Sequence, residues 1–87
     1  MIDRKMLEEI EDAIGFGCQV YVTANHRDYG LAVRAVVHST DKEVYSCEEL
    51  ITVPQMLSGE IDQIIERFQV WAKREIGQAI EDGKIKT

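Results

Sequence analysis

The apolar residues of this chain change period twice, and that change limits its possible folds more than any other feature. Met6, Leu7, Ile10, Ala13 and Ile14 recur at three- and four-residue spacing, which is one face of a helix. From Phe16 the period becomes two. Cys18, Val20, Val22 and Ala24 alternate with Gln19, Tyr21 and Thr23, as in a strand with one buried face. Leu31, Val33, Ala35 and Val37 repeat the alternation in a second run, and EVYSCEEL, residues 43–50, gives a weaker third. Beyond Pro54 the helical spacing returns, through Ile61, Ile64, Ile65, Phe68, Trp71, Ala72, Ile76 and Ile80.

Punctuation fits these boundaries. Asp3 can accept a hydrogen bond from a free N–H of the first helical turn, and Gly15 suits the end of that helix. The acids Glu11 and Asp12 lie at the unfavourable end of its dipole, so something other than helix stability holds them there. Ser39 to Lys42 is a turn by composition. Thr52 or Ser58 is placed to cap the next helix, Gly83 to stop it, and Lys84 to Thr87 read as a disordered tail.

Short turns between strands make an antiparallel meander the default, and two helices with apolar stripes are most simply buried on one side of it. The expected fold is α+β: a two-layer sandwich with a three-stranded meander, in the order α-β-β-β-α. Residues 1–83 form the single domain, a natural size for 87 residues. The order is shared with double-stranded RNA-binding domains. Their lysine-rich second helix has no counterpart here, and order alone carries no function.

Charge excludes further classes. The net charge is −6, where a nucleic-acid binder would need a basic footprint. Residues 1–66 hold 13 acids against 5 bases, and residues 67–87 hold 3 against 5. No apolar run could span a bilayer, and the opening MIDRKMLEE lacks the apolar stretch of a signal peptide. The expectation is a cytoplasmic protein of small intracellular or phage type, without direct nucleic-acid or membrane contact.

Residues 23–30, TANHRDYG, hold the densest set of reactive groups. They fall between two strand-like runs, where Asn25, Asp28 and Gly30 suit a hairpin turn. His26 and Asp28 could serve as base and orienter, but no nucleophile is placed beside them. Cys18, His26, His38 and Cys47 are separated by 7, 11 and 8 residues, unlike paired zinc ligands. The two histidines flank one strand, on the order of 30 Å apart at ~3.3 Å per residue. Two strands separated by a third cannot bridge their cysteines, so both thiols are expected free. Gly15 to Gly17 follows a helix instead of a strand and lacks the third glycine of a dinucleotide fingerprint. No catalytic, cofactor or metal residue is assigned.

What remains is surface. If the helices cover the side bearing Leu31, Val33, Ala35 and Val37, the opposite side carries Ala32, Arg34, Val36 and His38, with Tyr21 and Thr23 from the first strand. An apolar patch with an arginine and a tyrosine has the composition of protein interfaces. The expected function is therefore a non-enzymatic acidic protein-interaction module, binding a protein partner or forming a homodimer through this face. The alternative is an acidic nucleic-acid mimic that inhibits a DNA- or RNA-handling protein. It would use Glu8, Glu9, Glu11 and Asp12 with Asp41, Glu43, Glu48 and Glu49.

Overall fold

The computed structural model describes residues 3–25 and 30–86. In chain order the elements are α1 (Arg4–Ile14), β1 (Gln19–Asn25), β2 (Gly30–His38), β3 (Val44–Thr52), α2 (Val53–Leu57) and α3 (Ile61–Glu81). The strands form one antiparallel sheet in the order β1-β2-β3. The class is α+β, with an N-terminal helix and a longer C-terminal one.

Each boundary has a local cause. Asp3 caps α1, its carboxylate accepting from the Met6 N–H at 2.9 Å. Gly15 closes α1 at a φ of 80°, its N–H bonded to the Glu11 carbonyl. Thr52 and Gln55 make a reciprocal capping box around the start of α2, and Pro54 sits in the first turn, where its missing N–H costs nothing. Pro54 therefore opens a short helix as well as ending β3.

The register sorts the strands into two sides. Val20 faces Ala35, which faces Cys47; Val22 faces Val33; Leu31 faces Ile51. This side packs with Ile10 and Ile14 of α1 and Ile64, Ile65, Phe68, Ala72 and Ile76 of α3 in one buried cluster. Strand β3, whose inward side the sequence leaves ambiguous, turns Tyr45, Cys47 and Ile51 to the helices. Gly30 has no room for a side chain: a Cβ there would collide with the Ile51 carbonyl oxygen.

Two expectations are corrected. The first is the tail. Lys84 to Lys86 are docked, and Ile85 is only 2% exposed, within the core. The Gly83 N–H bonds the Ile80 carbonyl and the Lys84 N–H the Ala79 carbonyl, which turns the chain back after α3. Ser39 Oγ then accepts from the Lys86 N–H at 2.7 Å, and the Thr40 N–H donates to the Lys86 carbonyl. A lone isoleucine past a helix stop carries no periodic signal, which is why the pattern missed it. The second concerns Trp71, which the helical spacing places with Phe68 on the apolar stripe as a core residue. It is half-buried, packed on the rim of the core beside the buried Phe68, with ring centroids 6.1 Å apart.

Candidate interaction face on the open side of the sheet

The helices pack on one side, so the other side of the sheet carries no element of the described residues. Its residues alternate with the core: Tyr21 and Thr23 from β1, Ala32, Arg34, Val36 and His38 from β2, and Val44, Ser46, Glu48 and Leu50 from β3. The structure thus brings together all six residues expected on this side. It also adds a row from β3 that sequence reasoning missed, because neither side of β3 is uniformly apolar.

Exposure within the face differs from the expectation. Ala32 and Val36 are not presented to solvent: they are 7% and 8% exposed. Their small side chains lie at the floor between taller neighbours. The projecting apolar groups are Val44 at 58%, Tyr21 at 48% and Leu50 at 41%. Val36 floors a shallow hollow rimmed by Tyr21, Thr23, Arg34 and Val44. His38 and Thr23 are exposed at its margins.

Charge sits at the middle. Arg34 and Glu48 are directly opposite in register, and Arg34 donates from Nη2 at 2.7 Å and from Nε at 3.1 Å to one carboxylate oxygen of Glu48. Both side chains are exposed, so the pair contributes under about 1 kcal/mol to folding. Its larger effect is to leave the centre of the face neutral, while the Tyr21 hydroxyl donates to Gln19 Oε1 beside it.

Both sheet edges are guarded. Glu11 Oε1 accepts from the Val20 N–H of β1 at 2.8 Å, so the acid at the unfavourable end of α1 occupies an edge position. On β3 the half-buried Glu49 lies on the helix side, opposite Val33. An inward-pointing charge on an edge strand opposes pairing with another strand.

The remaining candidates are placed as follows. His26 and Asp28 lie outside the described residues. Cys18 and Cys47 are buried free thiols. Burial, then the Glu11 carboxylate, pushes Cys18 up; burial, then Glu75, pushes Cys47 up. Both stay protonated at neutral pH, the reverse of an activated nucleophile. Among the described residues no three His, Cys, Asp or Glu side chains form a metal-binding group. A second concavity, of about 790 Å³, lies between α2 and α3, lined by Gln55, Glu60, Glu66, Arg67, Trp71 and Arg74 among others.

Comparison with family models, curated proteins and solved structures found no match.

The acidic residues are spread out. Glu8, Glu9 and Asp12 are exposed on α1, which packs on β1, while Asp41 and Glu43 belong to the β2–β3 connection. Glu11 is bound to Val20, and Glu48 to Arg34. Asp41 is held below the usual carboxylate range by Ser39 and the Glu43 N–H.

Proposed function

We propose that the protein is a non-enzymatic protein-interaction module, and that the open side of its sheet is the contact surface. The observation that carries this reading is the projecting set Tyr21, Val44 and Leu50 around a neutral ion pair, on a side where no described element covers them. Apolar projections around an arginine are the composition that marks contact surfaces. Guarded edges favour the same side, because they leave the face as the place where another protein can dock. Nucleic-acid mimicry asks instead for a continuous acidic surface. Two of its carboxylates, Glu11 and Glu48, are already engaged, so the sheet face is the favoured reading.

The test is site-specific photo-cross-linking in the producing cell. A photoreactive residue in place of Val44 is expected to give a discrete protein adduct, and one in place of Glu66 on α3 is not. Adducts from position 66 alone would overturn the reading.

A further inference from the structure

We infer that the occupant of the open sheet face is a second copy of this chain, docked face to face about a two-fold axis that runs along the strands between β2 and β3. The inference rests on the reading above and names the partner. A two-fold interface requires a patch complementary to itself. An axis along the strands, placed midway between β2 and β3, lays β2 of each copy over β3 of the other. Residues that are neighbours across the β2–β3 ladder then become contacts across the interface.

The observed register makes those contacts complementary. Arg34 is opposite Glu48 within the sheet, so Arg34 meets the second copy's Glu48 and its own Glu48 meets the second Arg34. Four charges alternate in sign around the axis. Ala32 is opposite Leu50, so each projecting Leu50 descends onto a recessed Ala32. An axis along β2 itself would instead bring Arg34 onto Arg34, and one along β3 would bring Leu50 onto Leu50. Sheets that pack face to face sit ~10 Å apart with strands ~30° from alignment, which this axis allows.

Size sets the strength. About this axis only β2 and β3 of each copy overlap: two nine-residue strands of about 4.8 Å spacing at ~3.3 Å per residue give a contact of about 10 by 30 Å, with β1 and its Tyr21 flanking it. That is smaller than stable interfaces, so the dimer is weak and reversible.

The test uses charge reversal in two separate chains. Arg34→Glu makes the centre of the face all acidic, and Glu48→Arg makes it all basic. Both positions are exposed, so neither change touches the core. In sedimentation equilibrium up to about 1 mM, wild type is expected to dimerise reversibly. Each variant alone is expected to be weakened at least ~10-fold, and an equimolar mixture of the two to recover a heterodimer. Unchanged circular dichroism keeps the comparison valid, and Leu50→Glu provides a second variant that should also be monomeric. A wild type that stays monomeric throughout, or a mixture no tighter than its parts, overturns the dimer. The two readings can fail separately. If the cross-link from position 44 captures a different protein, the second copy falls and the interaction face stands; if position 44 captures nothing, both fall.

Discussion

At the scale of single residues, two positions let opposing effects be weighed. Glu11 sits badly for the α1 dipole, a cost of about 0.3–1 kcal/mol. Its charge-assisted hydrogen bond to the Val20 N–H is worth about 1.5–3 kcal/mol, so the bond wins. Glu11→Ala is expected to cost ~1 kcal/mol in urea unfolding and to speed exchange of the Val20 amide. Glu11→Gln keeps an acceptor and should be near neutral. Gly30→Ala is expected to cost ~3 kcal/mol or more, because its Cβ would meet a backbone carbonyl that no rotamer change can move. The two thiols give a pH dependence. Their folded-state pKa values are raised, so the folded state holds those protons more tightly than the unfolded chain. Stability is therefore flat below about pH 8.5 and declines as pH rises from there toward the raised values. Tyr45, also raised by burial, extends the decline higher. Unfolding curves from pH 7 to 9.5 should show this slope in wild type and a shallower one in the double variant Cys18→Ala, Cys47→Ala.

At the scale of elements, the helical layer is held by residues of unequal burial. Phe68→Ala is expected to cost ~3–5 kcal/mol, the range for a fully buried aromatic. Trp71→Ala should cost less, because the indole is only partly buried. Ile85→Ala should cost ~2–4 kcal/mol despite its place beyond α3, since its side chain closes the core. Thermal unfolding of the three variants, with losses ordered Phe68 over Trp71 and Ile85 above 1 kcal/mol, checks this layer. The elements themselves were legible in sequence wherever a period ran long enough. Five apolar positions marked α1 and eight marked α3. The second side of β2 is half apolar as well, the pattern of a central strand, and β2 lies between β1 and β3. Short-range order escaped. Five-residue α2 is less than two turns, so it shows as a cap and a proline and not as a period. The docking of Ile85 depends on Ser39, 47 residues away from Lys86, a contact that no local pattern encodes.

At the scale of the whole molecule, the two-layer arrangement divides the surface into a helical side and an open sheet side. Tyr21, Thr23, Arg34 and His38 were readable as outward residues from alternation alone. The depth of Ala32 and Val36 was not, because it depends on taller side chains from two neighbouring strands. Nor was the contribution of Val44 and Leu50, since β3 alternates too weakly to show its inward side. In the proposed function the sheet side, and not the α2–α3 concavity, meets the partner. Methyl NMR tests it directly, because exposed methyl groups mark both surfaces: Val44 and Leu50 on the sheet, Leu57 and Val70 on the helices. Spectra are compared between dilute and concentrated protein, and with and without extract of the producing cell. Shifts or broadening at Val44 and Leu50, with Leu57 and Val70 unchanged, is the result expected. Changes confined to Leu57 and Val70 would contradict it and move the contact surface to the helices.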